Sequence, residues 1–384
     1  MVPPIRVAII GLSANAITDW AARVHLPYFL SPVGRAKYQI VALCNSSKGA
    51  AERSIKMFGL DPGARAYGSP EDLAADPDVQ LVVCCTRVDK HYETVLPSVQ
   101  AGKDVFVEWP LAENAIKAAE LNQAAKEAGG RTIVGLQGWY IPTTLKLQEL
   151  IASGRIGKVW SSEFRAARWI SDQFTVSSAL SYFADRQVGG NFCTIAFGHV
   201  FDWVQRVLGD LQNIQSRLQL QRPKLNVVDS YTVRRASTII SDVPDLIHVT
   251  GTLPESEHVV KDATLHMRFR RAQAFPGDPA LVWSILGEKG EIRISAVFDT
   301  MLQVSQLLDV TIEVHDQESD NVERVDFKWD KAFAQLPYLT RSYGPIYEAY
   351  ANGTLGKYAD FDHAVKRHEQ LDGLYASWDA ARAV

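Results

Sequence analysis

Short apolar runs alternate with amphipathic stretches over the first 135 or so residues. Residues 5–10, 38–44, 81–86, 104–108 and 132–136 have strand length and the β-branched or small residues of strands buried on both faces. Between them, residues 13–30, 48–58, 91–101 and 112–128 carry helix-compatible patterns, the last stopped by Gly129-Gly130. This rhythm predicts a parallel, doubly wound sheet. After a helix over about 142–153 the period changes to two, as in Val159–Arg165, Ala263–Phe269 and Leu281–Leu286. Such alternation predicts a half-exposed, mostly antiparallel sheet. A helix with an apolar stripe follows at 196–208, a hairpin tip at 317–321 and a closing helix at about 359–380. The expected fold is an α/β Rossmann domain, residues 1–138, and an α+β domain with an open sheet, residues 139–384.

Composition narrows the function classes. The 384 residues are 47% hydrophobic and 22% charged, as in ordinary globular proteins. A net charge of −4 offers no general attraction to nucleic acid. No apolar stretch nears the roughly 20 residues that cross a bilayer, and the N-terminus lacks the pattern of a secretory signal. Cys44, Cys84, Cys85 and Cys193 form no Cys-x-x-Cys pair, so neither a metal site nor a disulfide framework is suggested. A reduced, cytoplasmic setting is expected.

Gly11-Leu12-Ser13-Ala14-Asn15-Ala16 follows the first strand directly. In a dinucleotide fold this turn lets the backbone approach the pyrophosphate, and a helix N-terminus meets its charge. Ser13 and Ala16 replace the second and third glycines of the usual pattern. At the end of the second strand stand Asn45-Ser46-Ser47-Lys48, with Arg53 beyond. No carboxylate occupies the place that grips the ribose hydroxyls of NAD, and hydroxyls and cations there suit a 2′-phosphate. NADP(H) is favoured and NAD(H) stays possible. Ser46 or Ser47 is also a natural helix cap.

These motifs resemble the glucose–fructose oxidoreductase, inositol dehydrogenase and rhizopine-catabolism family. The resemblance rests on Thr86–His91, on the run Ala101–Ala112, which contains Glu108-Trp109-Pro110, on Leu150–Val159, on Gly189-Gly190 and on His199–Asp202. It spans nearly the whole chain. It implies a Rossmann domain paired with a domain built on an open sheet, with substrate over the nicotinamide. It also implies cofactor contacts at Thr86, Arg87, His91, Glu108, Trp109 and Gln137, and a homodimer formed through the second sheet. Within the family, Gly11–Ala14, Glu108–Leu111, Leu136–Gly138 and Phe197–His199 resemble the branch that includes a fungal galactose-pathway repressor.

Two departures separate the chain from the family's enzymes. Trp109 stands where a lysine usually lies beside the nicotinamide. Ile195, next to Thr194, stands where a carboxylate usually precedes the histidine by one turn. His199 remains, and it can handle a proton near neutral pH. Tyr140 and Tyr182 are candidate second donors. Trp139, Trp169, Phe197 and Asp202 are candidate substrate-lining residues, an aromatic bias that fits an apolar metabolite as well as a sugar. His199 could instead pair with Asp202 on its helix, and the aromatics could be core. Three functions follow: an NADP(H)-dependent oxidoreductase on a small carbonyl or hydroxyl compound, a cofactor-binding regulator (nuclear in that case) that holds a protein partner, or a non-redox enzyme on the same fold.

Overall fold

The computed structural model describes residues 3–13, 16, 18–167, 173–229 and 235–382. The chain forms two compact units. The first contains Met1–Gln137, Gln187–Gly190 and Asp330–Glu369, and the second Gly138–Arg186, Asn191–Trp329 and Gln370–Val384. A contiguous division at 138 therefore omits a return of the chain to the first unit. That return is tied by contacts remote in sequence. The Val134 amide donates to the Ala359 carbonyl at 2.8 Å, and Asn122 Nδ2 donates to Asp362 across 240 positions. No local pattern announces such ties.

The first unit carries a six-stranded parallel sheet. Its strands are β1 (Ile5–Ile10), β2 (Tyr38–Cys44), β3 (Arg65–Tyr67), β4 (Leu81–Cys84), β5 (Asp104–Glu108) and β6 (Thr132–Gly135), ordered β3-β2-β1-β4-β5-β6. Five of these are the expected strands. Three-residue β3 lacks an apolar run and escapes a hydrophobic scan. The order reverses between β1 and β4, which sets the crevice at their carboxyl ends. The helix expected from residue 13 begins later, as a π-type turn at Ala21–His25 continued by Leu26–Leu30. Pro27 has no N–H to return to Arg23, which accounts for the discontinuity.

In the second unit, a mixed, mostly antiparallel sheet has eight strands. They include β7 (Val159–Ala167), β9 (Gln212–Gln219), β12 (Leu246–Thr252), β13 (Val259–Arg270), β14 (Leu281–Gly287), β15 (Gly290–Ala296), β16 (Val310–Asp316) and β17 (Asn321–Arg324), ordered β17-β16-β15-β14-β7-β13-β12-β9. The period-two pattern is realised directly. Leu281, Trp283 and Ile285 of β14 are buried, while Val282, Ser284 and Leu286 are half-exposed. The helix Gly198–Leu208 packs on the inner face through Trp203, whose ring meets Trp283 at 5.3 Å and Phe164 at 5.9 Å. A smaller sheet joins β8 (Thr175–Ser177), β10 (Lys224–Val228) and β11 (Arg235–Ile240). The expected hairpin tip lies between β16 and β17. Among the described residues no helix is long and apolar enough to cross a membrane.

Candidate functional site

The first unit's site starts at the switch point. Gly11 has φ +94°, and a Cβ there would lie 2.9 Å from the Cys85 carbonyl oxygen. The ends of β1 and β4 touch backbone to backbone, and only glycine fits without strain. Leu12 is fully buried, and Asn45 Nδ2 donates to its carbonyl at 2.9 Å and to Ser54 Oγ at 3.2 Å. Asn45 thus fixes the loop from the end of β2. Ser13 and Ala16 lie in the loop, and Asn15 lies outside the described residues.

Beyond β2, Ser47 caps the helix Lys48–Met57 by accepting from the Ala50 amide at 3.2 Å. Ser46, Lys48 and Arg53 are exposed. An Arg53 guanidinium nitrogen comes within 3.5 Å of a Cβ placed on Gly49, so this cation folds back over the start of the helix. Two carboxylates invisible in the local sequence also approach. Glu71 and Asp72 on the helix Pro70–Ala74 add to burial and Cys84 in pushing the Cys44 thiol up to about 12.

His91 is buried, with Nδ1 2.9 Å from the Pro110 carbonyl oxygen and Nε2 2.9 Å from that of Thr86. Burial holds its pKa below the ordinary histidine value. Both nitrogens face backbone, so His91 joins the loop after β4 to the loop after β5. That corrects its expected place among cofactor contacts. Arg87 forms an exposed two-point pair with Asp89, at 2.5 and 2.6 Å. Trp109 precedes a cis proline and is buried, its ring 4.7 Å from that of His368. His368 is itself buried, and desolvation followed by the neighbouring His91 lowers its pKa to about 3. Sequence reasoning missed it, because one histidine in a long helix carries no spacing signal.

Glu108 also changes role. Its Oε1 lies 2.6 Å from His25 Nε2, and its Oε2 accepts from the Tyr343 hydroxyl at 2.9 Å. The other ring nitrogen, His25 Nδ1, lies 2.6 Å from the Tyr347 hydroxyl. The expected cofactor contact is therefore a buried carboxylate saturated by the protein. His25, Cys85 and Glu108 have donor atoms within 4.8 Å of one another. The histidine nitrogens and carboxylate oxygens already serve this hydrogen-bonded network, and we assign the cluster a structural role.

Gln137 contrasts with Glu108. It follows the end of β6 by two residues and is fully buried, yet neither its Oε1 nor its Nε2 has a hydrogen-bond partner. An unsatisfied buried amide costs about 1–3 kcal/mol per group. The close-packed Gly11 turn and the unsatisfied Gln137 amide both fit a dinucleotide held at the strand ends.

The second unit places its candidates around the helix Gly198–Leu208. A π-type segment, Phe192–Phe197, leads into it, and Asn191 and Thr194 cap each other there. His199, Asp202 and Arg206 follow at spacings of three and four, which puts them on one helix face. His199 and Asp202 are buried. Asp202 Oδ2 accepts from the Trp139 indole N–H at 2.8 Å, and the Arg206 guanidinium lies 4.1 Å from the center of that indole. A Cβ on Gly138 would meet Trp203 at 2.9 Å, so this turn is pressed onto the helix. Tyr140 is half-buried; burial raises its pKa, and Arg206 opposes the rise. Tyr182 is half-buried in the turn Ser178–Ala184, with its ring 4.8 Å from Phe183. Phe197 is fully buried between Phe201, at 5.1 Å, and Phe269, at 5.8 Å. It is a core residue, which corrects the expectation that it lines a substrate. Trp169 lies outside the described residues.

Comparisons with known proteins agree with this architecture. Residues 5–136 match the model of the oxidoreductase family with an NAD-binding Rossmann fold. Residues 142–296 match that of the Gal80p C-terminal domain. The N-terminal domain thus matches the glucose–fructose oxidoreductase, inositol dehydrogenase and rhizopine-catabolism family, and the domain after it the Gal80p C-terminal domain. One relative is the dehydrogenase aclE of Aspergillus oryzae, 29% identical over 98% of this chain and 97% of that protein. Another is the galactose/lactose metabolism regulatory protein GAL80 of Saccharomyces cerevisiae, 30% identical over 65% of this chain and 58% of that protein. A crystal structure of a super-repressor mutant of that yeast Gal80p superposes with a TM-score of 0.84 at 22% identity, covering 99% of this chain and 97% of that one. An NAD-binding oxidoreductase from Klebsiella pneumoniae gives 0.76 at 19% identity, with 99% and 98% coverage. At these identities the solved structures speak to the fold alone.

Proposed function

We propose that the chain is an NADP(H)-dependent oxidoreductase acting on a small carbonyl or hydroxyl compound, either sugar-like or a secondary metabolite. The observation that carries this reading is the Gly11 turn, with φ +94° and no room for a Cβ, at the carboxyl ends of β1 and β4. The bound nicotinamide would supply hydride transfer. Gly11, Leu12 and Ser13 would meet the pyrophosphate through backbone, and Gln137 would gain partners for its amide. Ser46, Ser47, Lys48 and Arg53 would hold the 2′-phosphate. His199 would take or give the substrate proton, with Tyr140 or Tyr182 as second donor and Trp139 lining the substrate. Self-association through the open sheet of the second unit is part of the proposal. Screening oxidation of NADPH against aldehydes, ketones and sugars tests it. Turnover that falls on His199→Ala supports it, and cofactor binding without turnover across the panel would refute it.

A second function, a cofactor-binding regulator, is favoured by one observation. Trp109 occupies the position of the family's lysine and is buried against His368. This chain is also similar to the yeast regulatory protein. Binding without turnover is the outcome that this function predicts.

A further inference from the structure

The outer face of the second unit's sheet carries a row of basic residues. Arg217 on β9 is the register partner of His248 on β12, His248 of Arg268 on β13, and Arg268 of Arg165 on β7. Like charges directly opposite one another on a sheet are destabilising. Elsewhere this face pairs its charges: Arg293 on β15 lies 3.6 Å from Glu313 on β16, and Glu163 is the register partner of His266. Among the described residues the side chains of Arg165 and Arg268 have neither an ion pair nor a hydrogen bond, and the Nε atoms of Arg268 and Arg270 are buried without partners.

Three of these arginines converge. Neighbouring strands lie about 4.8 Å apart, and residues two apart on one strand are separated by about 6.7 Å. Arg165, Arg268 and Arg270 therefore root three guanidinium groups within the reach of one small anion. They line a shallow recess walled by Phe275 and Pro279. Its only carboxylate among the described residues is the exposed Asp278, and Arg270 also donates to the Gln273 carbonyl at 3.1 Å. Burial, then Arg268 and Arg222, disfavours the charged form of Arg270, while Asp278 opposes that effect.

We propose that Arg165, Arg268 and Arg270 form a binding site for a small multivalent oxyanion, a phosphate or polycarboxylate, separate from the dinucleotide site and lying on the sheet to which self-association is assigned above. A planar guanidinium offers paired donors to such a group.

Inorganic phosphate and citrate are the probes, titrated into the full chain by calorimetry at constant ionic strength, with chloride as control. Saturable binding is expected in the wild type. Arg165→Gln and Arg268→Gln should each weaken it by about tenfold or more, as loss of a charge-assisted hydrogen bond implies. Arg165→Lys should retain part of the affinity, and Arg293→Gln, on the same face, should retain all of it. Sedimentation of the same variants keeps the test independent of folding and assembly. Absence of saturable binding, or binding unchanged in both glutamine variants, overturns the site. So does dissociation of an oligomer by Arg165→Gln with no anion present, which would assign the arginines to a second copy's carboxylates.

Discussion

Glu108 in the first unit and Asp202 in the second are both buried carboxylates, yet their surroundings differ. Glu108 is gripped by His25 and Tyr343, 83 and 235 positions away, within a network that also takes in Tyr347. Asp202 shares one helix face with His199 and Arg206 and accepts from the Trp139 indole. The first arrangement locks loops so that backbone, at Gly11, can meet a ligand. The second presents individual side chains. A cofactor site built on backbone tolerates a change such as lysine to Trp109, whereas proton handling depends on which side chain stands at each position. Substitutions in the first unit should therefore cost stability and cofactor affinity together, and those in the second should cost turnover.

The largest expected effect is Glu108→Ala. It leaves His25 Nε2 and the Tyr343 hydroxyl buried without their acceptor, at about 1–3 kcal/mol for each group. Urea unfolding should register that loss, and a change below about 1 kcal/mol would show that the network does not hold the first unit together. His199→Ala should lower turnover by roughly 10²–10⁴-fold while NADPH affinity changes less than about twofold, a split that steady-state kinetics and binding titration measure separately. Gly11→Ala should lose about 1–3 kcal/mol through backbone strain, with weaker dinucleotide binding.

His368 adds a pH dependence to the first unit. Its folded pKa, about 3, lies below the ordinary value near 6.5. On acidification the unfolded chain takes up this proton before the folded one does. The contribution of His368 is complete above about pH 6.5 and is lost as pH falls towards about 3. His368→Gln should flatten the stability profile in that window, and an unchanged slope would contradict the assignment. The smallest effect belongs to Lys48→Ala. An exposed cation contributes up to about 1 kcal/mol, or about fivefold in affinity, and that loss should fall on NADPH and spare NADH. Equal losses would remove the case for phosphate recognition.

Much of the first unit was legible because its strands are buried on both faces and read as apolar runs, and because Gly11 follows such a run directly. The second sheet was legible from alternation, as in β14. What escaped the sequence depends on distant partners. His25, Tyr343 and His368 gain their meaning from Glu108 and Trp109, and β3 brings Glu71 and Asp72 towards the end of β2. Phe197 misled because proximity to His199 in the chain does not say which way a ring points. In the structure it stacks on Phe201 in the core.

The account's central claim is a division of labour between a dinucleotide site in the first unit and a proton-handling residue in the second. A fluorescence titration of the purified chain with NADPH, repeated for Gly11→Ala and His199→Ala, tests it most directly. Saturable binding that weakens in Gly11→Ala and persists in His199→Ala is the predicted result. No saturable binding in the wild type, or equal loss in both variants, would contradict it.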